Sequence, residues 1–106
     1  MVLPSFLGIG AARSGTTWLD SILRSHPDLY LPSRRKEVHF FNQYYDRGVA
    51  WYEDFFSQGS REIPDRIIMG EITPAYLYYE CVPSRINETL PDCKFILMLR
   101  NPAARA

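Results

Sequence analysis

Apolar positions along this chain follow two different spacings. Short apolar runs bounded by glycine, proline or polar residues occur at residues 6–9, 29–31, 67–72 and 94–99. Apolar residues recur with the spacing of a helix face at residues 18–23, 49–56 and 82–90. The runs predict strands, and the spaced segments predict helices. Because strands that alternate with helices favour a parallel sheet with right-handed crossovers, the pattern predicts an α/β fold.

The last run contains the longest unbroken apolar stretch of the four. Residues 95–99 are apolar without a break, as in strands that a sheet buries on both faces. The chain then ends at Ala106, where the first turn of another helix is expected. Its 106 residues suit one domain that buries roughly 60–70% of its unfolded surface. We therefore expect residues 1–106 to be the N-terminal part of a single, truncated domain.

Composition and charge narrow the possible function classes. Apolar residues make up 46% of the chain and aromatic residues 14%, which suits a packed globule rather than a disordered tail. Lys+Arg and Asp+Glu number 12 each, so the net charge does not indicate nucleic acid or an anionic membrane as a partner. Anion binding would therefore have to come from the local placement of donors.

The cysteines and the hydropathy of the chain bear on its compartment. Cys81 and Cys93 lack the short spacing of a metal or redox pair, so we expect reduced, half-buried thiols in an intracellular protein. No apolar run approaches the ~20 residues of a membrane span, and the N-terminus lacks the charged region of a signal peptide. The sequence thus predicts a cytoplasmic location, with no membrane segment in this chain.

A glycine-rich turn joins the first predicted strand to the first predicted helix. Unpaired N–H groups and the positive helix end would form an anion cradle there. Gly10 and Gly15 have the four-residue gap of a phosphate loop, but Thr16 stands where a nucleotide-hydrolysing loop carries its lysine. The only cation in the turn is Arg13. The amides of residues 14–17 and the threonine hydroxyls are candidate phosphate donors; the alternative is an ordinary strand-to-helix turn.

The sheet itself predicts where a ligand would bind. In parallel sheets, ligands bind beyond the carboxyl ends of the strands. The turns at residues 10–17, 71–74 and 100–102 each follow a predicted strand. We therefore expect these three turns to share one rim.

The first turn and the start of its helix read Arg13-Ser14-Gly15-Thr16-Thr17-Trp18. This motif resembles the 5′-phosphosulfate loop of sulfotransferases that use 3′-phosphoadenosine 5′-phosphosulfate (PAPS), in a form like that of cytosolic members. The resemblance implies that residues 13–18 bind the donor, with Arg13 at the position of the family's lysine. Arginine keeps the charge and adds a planar donor fork. For Trp18 the resemblance implies stacking on adenine, and the alternative is a core tryptophan.

A second motif follows the last predicted strand and reads Arg100-Asn101-Pro102-Ala103-Ala104-Arg105. It resembles the family's 3′-phosphate motif. The resemblance implies that Arg100 contacts this phosphate, which a guanidinium reaches through two parallel hydrogen bonds. The alternative is an exposed arginine at a strand end.

A third motif reads Lys36-Glu37-Val38-His39-Phe40-Phe41. It resembles the segment of the heparan-type branch that carries a catalytic glutamate. The resemblance implies that Glu37 takes the proton of an acceptor hydroxyl, a group that needs a base within hydrogen-bond reach. Lys36 and His39 are further catalytic candidates, and His39 would orient Glu37 or the acceptor. The alternatives are a surface Glu37 paired with its basic neighbours and a partly buried His39 held by backbone.

Two positions depart from the heparan-type pattern. Asn42 stands where that branch often has an aspartate, and Ile72 replaces a lysine in a Gly-Glu-Lys-Thr-Pro-Ala-Tyr segment. Glu71 and Thr73 of the same segment are expected either to line the rim or to cap its turn.

The resemblance implies a three-layer fold like that of P-loop nucleotide hydrolases, with a parallel sheet. It also implies PAPS as donor, PAP as product, no metal and an acceptor hydroxyl on a saccharide. Aromatic side chains that would stack on sugars, or else fill the edge of a core, are Tyr44, Tyr45, Trp51, Tyr76, Tyr78 and Tyr79. One alternative is a P-loop kinase or NTPase, which calls for a lysine after Gly15 and an acidic Mg²⁺ ligand, for which Glu71 is a poor candidate. The other is an inactive nucleotide-binding remnant.

Overall fold

The computed structural model of the chain describes residues 3–11, 15–57, 64 and 66–99. Its strands are β1 (Phe6–Gly10), β2 (Leu29–Tyr30), β3 (Ile68–Ile72) and β4 (Lys94–Leu97). They form a four-stranded sheet in the order β2-β3-β1-β4, and each neighbouring pair is parallel. The predicted α/β class with a parallel sheet is therefore confirmed.

The helical segments alternate with these strands. They are α1 (Thr16–Ser25), a π-helical turn (Phe40–Tyr44), a 3₁₀ turn (Tyr45–Arg47), α2 (Val49–Glu53), a second 3₁₀ turn (Pro74–Tyr78) and α3 (Val82–Thr89). The helix α1 ends at Ser25 because His26 precedes Pro27 and is extended, with φ −77° and ψ 128°. The helix α2 is shorter than predicted, since the chain turns after Glu53 and buries two phenylalanines, Phe55 and Phe56.

Apolar side chains cover both faces of the sheet. On β1, Phe6 belongs to a cluster with Leu31 and Ile72 that packs against α1, whereas Leu7 belongs to the larger cluster on the other face. Neighbouring residues of a strand point to opposite faces of the sheet, so β1 contributes side chains to both clusters. The larger cluster includes residues of α2, α3 and the π-helical turn. Helices on both faces give the three layers expected from the sequence.

Strand β4 is not buried on both faces, contrary to the prediction from its apolar run. It pairs with β1 and lies at the edge of the sheet within the described part of the chain. Phe95 is 54% exposed and Leu97 is 46% exposed. The run of apolar residues correctly predicted a strand, but the position of a strand in the sheet depends on which neighbours it pairs with.

Both thiols are free in the structure, but they differ in exposure. Cys81 is exposed, which corrects the half-buried state expected for it, whereas Cys93 is partly buried. Burial and the nearby charge of Glu71 raise the pKa of Cys93 to about 11.

At pH 8 we therefore expect iodoacetamide to alkylate Cys81 well before Cys93. A raised pKa leaves less thiolate at a given pH, so the rate at Cys93 should climb about tenfold per pH unit until the pH nears that pKa. Peptide mass spectrometry at several pH values between 7 and 10 measures both rates. Equal rates at pH 8 would contradict the difference in environment.

Candidate active site

A cavity of about 880 Å³ lies at the carboxyl end of the sheet. Its lining residues come from the start of α1, the segment after β2 and the 3₁₀ turn after β3: Gly15, Thr16, Thr17, Trp18, Ser21, Glu37, Pro74, Ala75 and Tyr78. Two of the three turns that the sequence assigned to one rim thus meet at this cavity. The third, at residues 100–102, lies outside the described residues.

The N-terminus of α1 forms one wall of the cavity. Gly15 adopts the left-handed conformation, with φ 89°, and so turns the chain into the helix. The first helical hydrogen bond joins the N–H of Leu19 to the carbonyl of Gly15 at 3.0 Å. The N–H groups of Thr16, Thr17 and Trp18 precede that bond, and the first turn carries no acidic side chain. This wall therefore presents backbone donors and the positive helix end to an anion.

Trp18 lies on the solvent side of α1 beside the cavity. Trp18 is 63% exposed, so the alternative, a tryptophan buried in the core, is wrong. Stacking on adenine stays a prediction for this exposed ring. Thr16 is buried while Thr17 is exposed, so the two threonine hydroxyls differ in access to solvent. Arg13, Ser14 and Arg100 lie outside the described residues, and their assigned contacts stay predictions.

Glu37 and His39 form a side-chain pair at the cavity. Glu37 Oε1 lies 3.3 Å from His39 Nε2, and the Glu37 side chain is 43% exposed. The other ring nitrogen, Nδ1, lies 3.2 Å from the amide nitrogen of Asn42. If the Asn42 amide donates to Nδ1, the ring proton sits on Nε2 and faces Glu37. The orienting role of His39 stays a prediction, and it is compatible with this contact.

The residues near Glu37 differ in their contacts with the cavity and with His39. Lys36 is exposed and is not among the described residues that line the cavity. The Glu37 carboxylate pairs with a histidine, so the alternative of a surface charge paired with its basic neighbours is not what the described contacts show. Asn42, where the heparan-type branch often has aspartate, contacts the histidine ring through its amide nitrogen.

An ion pair on α1 fixes the segment that leads to Glu37. Arg24 Nε lies 2.5 Å from Asp20 Oδ1, and Asp20 is buried. The same guanidinium donates from Nη1 to the carbonyls of Leu31 and Pro32, at 3.3 and 2.6 Å. The first cavity wall and the start of the Glu37 segment are thereby joined by charge-assisted hydrogen bonds.

Glu71 neither lines the rim nor caps the turn, contrary to both expectations. It is fully buried, and its carboxylate accepts hydrogen bonds from Tyr52 (2.5 Å), Thr73 (2.6 Å) and Tyr76 (2.9 Å). Burial raises the pKa of Glu71, and these hydrogen bonds oppose the rise. Thr73 is buried as well. A carboxylate occupied in this way is not placed to bind the Mg²⁺ of a P-loop NTPase.

Ile72 takes part in the packing beneath α1. It is 2% exposed and lies in the cluster with Phe6 and Leu31. Its partner across the sheet is Gly8, where an added Cβ would come within 2.8 Å of Ile72 Cγ1. The residue that replaces the lysine of the heparan-type segment is therefore an apolar core residue.

The candidate aromatic residues separate into three groups by exposure. Tyr78 lines the cavity and is 60% exposed, and Tyr79 is exposed as well. Tyr76 is buried, which corrects its placement among the stacking candidates. The remaining three pack against the larger core cluster as partly buried residues: Tyr44, Tyr45 and Trp51.

Sequence reasoning missed two lining residues, Ser21 and Ala75. Ser21 lies one turn beyond Thr17 on α1, so helical periodicity carried the signal. Ala75 follows Pro74 in the second 3₁₀ turn, one residue beyond the turn that the sequence placed on the rim.

The described residues contain neither a cluster of metal-ligating side chains nor a membrane-spanning helix. Across residues 3–11, 15–57, 64 and 66–99, His, Cys, Asp and Glu side chains do not gather in threes in a way that could hold a metal ion. In that same part of the chain, none of the helices has the length and apolar character to cross a membrane. The expected lack of a metal requirement and the cytoplasmic location stay predictions.

Comparison with known proteins gives consistent matches. Residues 4–82 match the model of a family described as "Sulfotransferase family". The chain is 39% identical over its full length to a membrane-associated sulfotransferase, kil1, of Dictyostelium discoideum, and spans 22% of that protein. It is 40% identical over 103 residues to heparan sulfate glucosamine 3-O-sulfotransferase 6 of Mus musculus, and spans 28% of it. A crystal structure of a sulfotransferase from Alicyclobacillus acidocaldarius superimposes with a TM-score of 0.79 at 34% identity, covering 99% of this chain and 47% of that one.

Proposed function

Since the chain belongs to the sulfotransferase family, we propose that it carries the donor loop and the base for sulfuryl transfer from PAPS to a hydroxyl acceptor. One observation carries the proposal: the N-terminus of α1 and Glu37, which contacts His39, line the same cavity. An anion cradle and a carboxylate base are the two parts that such a transfer needs on opposite sides of the reacting group. The chain spans about a quarter of the curated relatives' length, so this proposal concerns the protein that contains it.

The residues at the cavity fit a phosphosulfate group. The α1 wall offers the N–H groups of residues 16–18 and the exposed Thr17 hydroxyl, without an acidic side chain in the first turn. We propose that Arg13 adds a guanidinium to this wall, that Trp18 stacks on adenine and that Arg100 holds the 3′-phosphate. These donors would stabilise the negative charge that develops on the 5′-phosphate during transfer. When bound, PAPS supplies the sulfuryl group.

Glu37 would act as the base. Its carboxylate accepts the acceptor proton while the acceptor oxygen bonds to sulfur. The bond between sulfur and the 5′-phosphate oxygen breaks, and its electron pair stays on that oxygen in PAP. His39, held at 3.3 Å from Glu37, keeps the carboxylate oriented towards the cavity. In this scheme positioning and electrostatics provide most of the rate, as in phosphoryl transfer.

The acceptor is proposed to be a carbohydrate. One relative is named a heparan sulfate glucosamine sulfotransferase, which supports a saccharide hydroxyl. Two exposed aromatic rings at the cavity, those of Trp18 and Tyr78, offer flat faces for a sugar or a base. Ile72 brings no cation to the site, so the acceptor need not match that of the heparan-type branch.

A thermal-shift experiment tests the donor site. We expect PAP without Mg²⁺ to raise the melting temperature, by about 10–20 °C for a domain of this size at a concentration near 100 times its Kd, because it binds only the folded state. Stronger protection by Mg·ATP than by PAP would instead support a P-loop kinase or NTPase.

Transfer of label from PAPS should be assayed in parallel with this chain and with a version extended to its natural end. Binding of PAP without transfer in the extended protein would support an inactive remnant.

A further inference from the structure

The segment that carries the catalytic pair has an unusual backbone. We call residues 37–40 the strap. His39 lies in the left-handed region, with φ 57° and ψ 28°, which non-glycine residues rarely adopt. This conformation sets the direction of the His39 ring, which meets Glu37 Oε1 at 3.3 Å. A rare backbone conformation persists only where surrounding contacts hold it.

Those contacts converge on one carboxylate of strand β3. The backbone of Val38 lies close enough to Glu71 to oppose the rise in the pKa of that carboxyl. The N–H of His39 donates to Thr73 Oγ1 at 3.4 Å, and the Thr73 hydroxyl donates to Glu71 Oε1 at 2.6 Å. The His39 amide therefore reaches Glu71 through a single hydroxyl.

The next amide reaches the same carboxylate through a phenol. The N–H of Phe40 donates to the Tyr76 hydroxyl oxygen at 3.1 Å, and that hydroxyl donates to Glu71 Oε2 at 2.9 Å. Two successive backbone N–H groups, those of the left-handed His39 and of Phe40, are thus linked to one carboxylate through one hydroxyl each.

The strap amides have few other hydrogen-bond acceptors available, because their surroundings are buried. Glu71, Thr73, Val38 and Phe40 are all fully buried, and Tyr76 is 2% exposed. A buried donor that loses its acceptor has little access to water in exchange, so each bond constrains the backbone strongly.

We propose that Glu71 is a positioning residue that holds the strap in the conformation which turns His39 onto Glu37. The sheet fixes Glu71, and Thr73 and Tyr76 transmit its position to the amides of the strap. Glu71 itself is buried away from the reacting atoms. The catalytic meaning of this role rests on the proposed sulfuryl transfer, whereas the conformational role does not.

Two matched pairs of variants in the full-length protein test the proposal. Thr73→Val removes the hydroxyl that joins the His39 amide to Glu71, and Thr73→Ser keeps it. Tyr76→Phe and Tyr52→Phe each remove a buried phenol bonded to Glu71 Oε2, but only the Tyr76 oxygen also accepts from the strap. A purely structural role of Glu71 predicts similar effects within each pair.

Hydrogen exchange gives a readout that does not depend on activity. We expect exchange at the His39 amide to accelerate at least ~10-fold in Thr73→Val and to stay near wild type in Thr73→Ser, because local opening exposes an amide that lost its acceptor. The Phe40 amide should respond in the same way to Tyr76→Phe, whereas Tyr52→Phe should change both amides only as far as global stability changes. Equal acceleration in both tyrosine variants would overturn the conformational role.

Steady-state kinetics then tests the catalytic role. We expect kcat to fall ~10-fold in Thr73→Val and in Tyr76→Phe, with KM for PAPS within ~2-fold of wild type, because a base displaced by a fraction of an ångström loses rate more than donor affinity. Unchanged kcat in variants with accelerated exchange would overturn positioning as a catalytic role. If the wild type transfers no sulfuryl group while the exchange pattern holds, the proposed function fails and the conformational role stands. Should Tyr76→Phe not fold, the threonine pair decides both points.

Discussion

Replacing Glu37 by glutamine should lower the rate of sulfuryl transfer by ~10²–10⁴-fold, because the amide has no basic oxygen to accept the acceptor proton. The affinity for PAP should stay within ~2-fold of wild type, since the proposed PAP ligands are the α1 donors and do not include Glu37. Single-turnover transfer of label from PAPS measures the rate, and calorimetry measures PAP binding.

The matched control for this substitution is Glu80→Gln. Glu80 is exposed and lies outside the described lining of the cavity. The Glu80→Gln variant should therefore transfer the sulfuryl group at the wild-type rate. Both substitutions remove one negative charge from a solvent-accessible carboxylate. A loss of rate in Glu37→Gln alone would therefore reflect the loss of the base and not the loss of a charge. Turnover of Glu37→Gln near that of Glu80→Gln would remove Glu37 from the mechanism.

Replacing Gly70 by alanine should destabilise the fold by about 1–3 kcal/mol, the usual range for overpacking a core. A Cβ at Gly70 would overlap the ring of Phe6, its partner across β1 and β3. Both residues are buried, and the Phe6 ring packs between the sheet and α1, so the ring has little room to move. Urea unfolding followed by circular dichroism measures the loss of unfolding free energy.

A double-mutant cycle identifies the cause of that loss. Phe6→Leu removes the ring that the new methyl group would strike, so Gly70→Ala should cost markedly less in the Phe6→Leu background than in the wild type. Additive losses would show that the methyl group does not meet Phe6, and that the alanine acts through the strand backbone instead.

Much of the fold followed from local patterns. The apolar run and the glycine turn around β1 predicted a strand, a turn and a helix, because backbone geometry at Gly15 and helical spacing from Trp18 onwards act over a few residues. The α1 wall of the cavity and Glu37 were predicted as well. Glu71 was misplaced because its neighbours in sequence read as a strand-end turn, whereas its hydrogen-bond partner Tyr52 is distant in sequence.

The burial of individual side chains was the least predictable property. The apolar run of β4 favoured a central strand, but β4 is an exposed edge within the described sheet. Trp18 and Tyr76 are both large aromatic residues, and yet the first is 63% exposed and the second 2%. Aromatic side chains are found both in cores and at surfaces, so the residues packed around each one determine whether it is buried.

The sequence by itself determined the α/β class, the glycine-rich turn before α1 and the motif that contains Glu37, because strand and helix spacing and turn chemistry are local properties. The sequence also predicted that the turns after β1 and β3 share a rim, because parallel pairing brings the carboxyl ends of the two strands to one edge. Only the tertiary structure brought Glu37 to that cavity and placed Glu71 beneath the strap instead of on the rim, through contacts with residues distant in sequence. Contacts between segments so far apart leave no periodic signal in the order of the residues.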